Sequence, residues 1–72
     1  MNQEEWLKEL YASLQPHKLS FDEFGDHYEG MLEDITDSDE TEDGEFLVWI
    51  EFKNGVIRGF SLAELTNLRE IN

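Results

Sequence analysis

Asn54-Gly55 separates two apolar runs, Phe46-Leu47-Val48-Trp49-Ile50-Glu51-Phe52 before it and Val56-Ile57-Arg58-Gly59-Phe60 after it. β-Branched and aromatic residues favour extended backbone, and Asn-Gly between such runs is the strongest short-range hairpin signal. This part of the chain is thereby committed to antiparallel β structure. A two-residue turn predicts that Lys53 faces Val56, Phe52 faces Ile57 and Glu51 faces Arg58. Ile50 then faces Gly59, and Trp49 faces Phe60. In that register Phe46, Val48, Ile50, Phe52 and Ile57 share the core face. Trp49 and Phe60 lie together on the other face and need a cover.

The cover is expected from the N-terminus. Residues 2–14 read as an amphipathic helix with Leu7, Leu10 and Leu14 on one stripe and Trp6 and Tyr11 beside it. Asn2 with Glu5 fits an N-cap, and Pro16 ends the helix because the residue before a proline avoids α backbone. Residues 20–35 admit two readings. Phe21, Phe24, Tyr28, Met31 and Ile35 recur at helical spacing, but Gly25 and Gly30 oppose a helix. We read a strand over about 27–35, with a bend at Gly30 and a short turn around Phe21–Phe24 before it. Residues 36–45 contain no apolar side chain and are expected to form an exposed, mobile loop. Strands are expected over 46–53 and 56–61. Ser61 and Glu64 then cap a single turn, followed by a short last strand or helix over 66–71.

A Gly25-Asp26-x-x-x-Gly30 strand, a polar loop, the Val48-Trp49-Ile50 strand, the Asn54-Gly55 hairpin and Phe60-Ser61-Leu62-x-x-Leu65 follow in order. Over about residues 25–71 this pattern resembles the SH3-like and Tudor-like small β-barrel domains. The resemblance implies an α+β single domain over 1–72, an N-terminal amphipathic helix packed on a small, SH3-like antiparallel β-sheet or partly open barrel. It also implies a binding module rather than an enzyme, by analogy of fold alone. The aromatic cage with which some Tudor-like domains hold methylated bases is not evident. Trp49 and Phe60 would form half of one, but both are expected beneath the helix.

Charge narrows the partners. The chain has 18 acids against 5 Lys/Arg, a formal net charge of -13, and no cysteine. Residues 20–45 carry twelve of those acids and no Lys or Arg. Direct nucleic-acid binding draws on bases that neutralise phosphates, so it is excluded as an expectation, and anionic membranes are disfavoured for the same reason. The absence of cysteine removes disulfides and thiolate metal sites. No apolar run reaches the ~20 residues of a membrane span, and no leader pattern is read at the N-terminus. A cytoplasmic domain is the expectation.

Three chemistries fit such a chain. The first is docking on a basic protein surface, with carboxylates standing in for the phosphates of nucleic acid. Its candidate residues are Asp22, Glu23, Asp26, Glu29, Glu33, Asp34, Asp37, Asp39, Glu40, Glu42 and Asp43. The second is Ca²⁺ binding by the loop 37–45, because hard cations take several oxygen ligands. Asp37, Asp39, Thr41, Asp43 and Glu45 are its candidates. An EF-hand frame begun at Asp39 fits Thr41, Asp43 and Gly44 but puts Ile50 where the bidentate Glu belongs. The third is acid–base catalysis, which needs a pair of groups whose pKa values a pocket pushes apart. No pair is marked as such, so the chain is expected not to be an enzyme. His17 is expected to be exposed, and His27 to favour its charged form among Asp26, Glu29 and Asp34. No cofactor is expected apart from Ca²⁺.

Overall fold

The computed structural model describes residues 2–71. One helix, α1 (Gln3–Ala12), precedes five strands: β1 (Lys18–Glu23), β2 (Asp26–Thr36), β3 (Leu47–Glu51), β4 (Ile57–Ser61) and β5 (Leu65–Ile71). Single 3-10 turns occupy Ser38–Glu40 and Leu62–Glu64. All pairings are antiparallel, in the order β4-β3-β2-β1-β5. The chain thus runs as a four-strand meander, and β5 returns to the far side of β1. The sheet is open, and α1 packs on it.

Asn2 caps α1 as expected, its Oδ1 accepting the Glu5 N–H at 2.8 Å. The helix stops at Ala12, two residues before the predicted end, and Leu14 is fully exposed. Leu7 is completely buried, and Trp6 and Leu10 pack against the core from the flank. The leucine stripe is therefore shorter than its spacing suggests.

β1 is the principal correction to the sequence reading, which placed only a turn near Phe21–Phe24. Leu19, Phe21 and Glu23 face inward, whereas Lys18, Ser20 and Asp22 pair on the other face. Glu23 pairs with Asp26 around a two-residue turn in which Phe24 (φ 50°) and Gly25 (φ 86°) are both left-handed. This is the primed turn geometry that matches strand twist. The long strand expected over 27–35 is present as β2. A bulge between Leu32 and Asp34 inserts Glu33. Before it, Tyr28 and Leu32 face the core; after it, Ile35 does. The bulge lets an acidic strand that fails strict alternation still bury Ile35.

The β3–β4 register also differs from expectation. Gly55 N–H donates to the Phe52 carbonyl and Phe52 N–H to the Val56 carbonyl, both at 2.9 Å, with Gly55 at φ 85°. The connection is a three-residue loop with a glycine bulge rather than a two-residue turn. Every partner shifts by one: Val48 faces Phe60, Trp49 faces Gly59, Ile50 faces Arg58 and Glu51 faces Ile57. A one-residue slip exchanges the faces of a strand. Phe60 therefore enters the core, whereas Ile57 is about half exposed. Trp49 lies across the outer face, its indole N–H donating to Thr36 Oγ1 at 2.9 Å and its ring edge resting on Gly59.

The core comprises Leu7, Leu19, Phe21, Phe46, Val48, Ile50, Phe60, Leu62 and Leu65. At Gly30 β2 lies close against β3: a Cβ there would collide with Ile50 Cγ2 and lie 2.8 Å from the Glu51 carbonyl oxygen. Phe21, Tyr28, Phe52 and Phe60 form an aromatic cluster, and the Arg58 guanidinium lies 4.3 Å from the Phe60 ring centre. Arg58 also donates to the buried Glu23 carboxylate at 2.8 Å. β4 and β1 are separated by two strands in the sheet, so this bridge requires strong curling. After β4 comes a single turn, and of the two alternatives read for 66–71 the strand is the one formed. Ser61, however, bonds to Glu45 rather than capping its own turn. No helix among the described residues is long and apolar enough to cross a membrane.

Candidate functional site

The acidic segment follows the fold from one end of β2 to the other. The end of β1 carries Asp22 and Glu23, β2 carries Asp26, Glu29, Glu33 and Asp34, and the β2–β3 loop carries the remainder. The eleven carboxylates proposed for docking divide into two sets.

Four of them bond to bases within the chain. Glu23 is buried against Arg58. Asp22 accepts from Asn67 Nδ2 at 2.7 Å and lies 2.8 Å from His27 Nδ1. Glu29 lies 3.1 Å from His27 Nε2 and 4.0 Å from Lys18 Nζ. Asp37 is paired with Lys8 Nζ at 2.7 Å. The Asn67 amide and the His27 ring hold the Asp22 carboxyl below its ordinary range. His27 does the same for Glu29, and Lys8 for Asp37. Conversely, Asp22 and then Glu29 raise His27, and Asp37 raises Lys8.

The other seven, Asp26, Glu33, Asp34, Asp39, Glu40, Glu42 and Asp43, are exposed. Asp34 accepts the Ile35 N–H at the bulge, and its hydrogen bond with Tyr11 raises that phenol's pKa. The loop that holds the last four is fastened along its length. Lys8 grips Asp37, the Asp37 N–H reaches Glu40 Oε1, and Asp43 Oδ1 accepts the Glu45 N–H. Thr41 Oγ1 lies 2.8 Å from the Glu45 carbonyl oxygen, Ser61 holds the Glu45 carboxylate, and the Leu62 N–H donates to the Phe46 carbonyl.

The five candidate Ca²⁺ ligands are thus employed separately. Asp37 serves Lys8, Thr41 serves backbone carbonyls, Asp43 serves the Glu45 amide and Glu45 serves Ser61, while Asp39 is exposed. Among the described residues no group of three or more His, Asp or Glu side chains is placed to hold a metal ion.

Two polar constellations were not anticipated. His17, expected to be exposed, is mostly covered and lies 2.5 Å from Glu70 Oε2. On the outer face, Ser20, Asp22, His27 and Glu29 gather because β1 and β2 pair Ser20 with Glu29 and Asp22 with His27. Ser20 Oγ is 3.4 Å from His27 Nε2, which puts a Ser-His-Asp sequence in space. Its geometry does not suit nucleophilic catalysis: Ser20 is only 2% exposed, and the same His nitrogen lies closer to Glu29. The group pins β1 to β2. The alternation of Lys18, Ser20 and Asp22 against Leu19, Phe21 and Glu23 was the sequence signal for both β1 and this cluster.

A groove of about 560 Å³ on the sheet is lined by Lys18, Glu29, Met31, Phe52, Lys53 and Asn54. Its charges are mixed in sign. Compared with known proteins, the chain matches no family model, no curated protein and no solved structure.

Proposed function

We propose that the chain is a non-enzymatic acidic interaction module of SH3-like architecture. Its negative band docks on a basic protein surface, one built to receive nucleic acid. The observation that carries the reading is the division of the carboxylates. Seven face solvent, and the four on the β2–β3 loop sit in a segment tied to α1 and β4. Held carboxylates keep a fixed pattern, as phosphates on a duplex do, and lose less entropy on binding than a free tail. Local positive charge is sparse: residues 20–45 contain no Lys or Arg, and Lys8 is engaged by Asp37. The field of the band is therefore directed outward and steers basic surfaces toward it.

The test is affinity capture with the wild type and with the variant Asp39→Asn/Glu40→Gln/Glu42→Gln/Asp43→Asn. Asp37 is spared because it holds Lys8. Basic proteins should be retained at about 0.15 M salt, released toward 1 M as screening shortens the Debye length to about 3 Å, and displaced by duplex DNA. Equal capture by the neutralised variant would sink the proposal. A saturable response to Ca²⁺ that Mg²⁺ does not reproduce would replace it with the cation-binding reading.

A further inference from the structure

We propose that an extended, basic segment of the partner adds to the free edge of β4 as a sixth strand; this deepens the docking reading above and rests on it.

The two edges of the open sheet differ. β5 is bulged opposite Phe21, where Asn67 adopts φ 56° and turns its amide to Asp22, and Arg69 and Glu70 are exposed nearby. Bulges and charges are the ordinary protection of an edge against another strand. β4 pairs with β3 without a bulge and contains no proline. Its one charged side chain, Arg58, is about half exposed on the Phe60 face and is engaged there by Glu23 and Tyr28.

The hydrogen-bond phase shows which backbone groups are free. Phe52 N–H donates to Val56 O, and Leu62 N–H to Phe46 O. In an antiparallel ladder bonded pairs alternate, so residues 56, 58, 60 and 62 bond toward β3. The N–H and C=O groups of Ile57, Gly59 and Ser61 therefore point away from β3. Val56 and Ile57, at the start of this edge, are each about half exposed.

Charge selects the occupant. Glu51 lies across from Ile57 at one end of the edge, and Glu45 is bonded to Ser61 at the other, where the acidic loop begins. A second copy of this chain would bring the same carboxylates to the same places and a further charge of -13. A basic segment meets opposite charge at both ends. The middle position adds specificity. Gly59 has no side chain, and the Trp49 ring lies over it, so a Lys or Arg of the added strand opposite Gly59 would lie against the indole.

The test uses ¹⁵N-labelled full chain and the peptide Lys-Lys-Lys-Thr-Val-Lys-Val-Thr, with a Glu-for-Lys version as control. The proposal expects saturable shifts, slowed exchange of the Ile57, Gly59 and Ser61 amides, and no response to the acidic control. Ile57→Pro, which removes an outward N–H, should weaken binding about tenfold or more, as should Ile57→Lys, which guards the edge while leaving the backbone intact. Saturable shifts confined to Asp26, Glu33, Asp34 and residues 39–43, without protection at β4, would overturn the proposal and leave the docking function standing. Protection at β4 without peptide that grows with protein concentration would overturn it in favour of self-pairing. No binding of the peptide would overturn it as well, and the capture experiment with folded basic proteins then decides the broader reading separately.

Discussion

His27 shows how the fold makes one ordinary side chain sensitive to its surroundings. Asp22 of β1 and Glu29 of β2 lie on either side of the ring, and their hydrogen bonds raise its pKa above the ordinary 6.5. Lys18 lies 4.0 Å from Glu29, and Arg69 of β5 acts on Asp22, so bases offset part of the local field. The raised histidine contributes stability that is complete below 6.5 and lost as pH rises through its folded value. The lowered Asp22 and Glu29 contribute stability that is present above their ordinary values of 3.8 and 4.5 and lost as pH falls through their folded ones. The cluster should therefore support the fold most between about pH 5 and 6. The gap in urea midpoint between wild type and His27→Gln should be widest there and shrink toward about pH 9, with the Asp22–Asn67 bond surviving. A constant gap across that range would contradict this. Because His27 is more than half exposed, solvent screening keeps the effect small.

At the scale of elements, the β1–β2 hairpin carries a visible strain. Its primed turn has Phe24 in left-handed backbone, with the ring 78% exposed. For an L-residue with a bulky side chain that conformation costs about 1–2 kcal/mol, whereas Asn adopts it more readily. Phe24→Asn should raise stability by about 1 kcal/mol in urea unfolding followed by tryptophan fluorescence. A loss of the same size would show that the Phe24 ring contributes packing that its exposure does not suggest. This hairpin is also where sequence reasoning went astray. Phe21, Phe24 and Tyr28 fall at helical spacing, and without Asn or Asp before Gly25 the turn lacks its usual mark. The β3–β4 hairpin has that mark, Asn54-Gly55, and was found, but two loop lengths are compatible with it and lead to opposite faces for β4. The positions of Phe60, Ile57 and Arg58 followed from that single choice.

At the scale of the whole molecule, a net charge of -13 is held in a body with a radius of gyration of 11.5 Å. A compact chain of this length is expected near about 11 Å, so the like charges sit close together. They repel one another, and salt should relieve that repulsion. Added NaCl should raise the unfolding midpoint, and the four-residue neutralised loop variant should exceed wild type at low salt. That advantage should fade toward about 1 M, where screening acts within about 3 Å. A variant less stable than wild type at every salt concentration would mean that the loop carboxylates hold the structure together rather than strain it.

Local chemistry settled part of this protein before folding was considered. The capped helix, the strand at Val48-Trp49-Ile50, the hairpin and the confinement of the acids to residues 20–45 follow from the periodicity, turn residues and charge of neighbours in the chain. The tertiary structure decided the rest. Glu33 had to bulge for Ile35 to reach the core, and β4 had to slip by one residue for Phe60 to do so. Arg58 found Glu23 across the curled sheet, and Lys8 found Asp37 across the helix packing. These choices depend on which faces bury apolar area together and on which charges remain once some are paired. Both are properties of residues far apart in the chain, so no local pattern contains them.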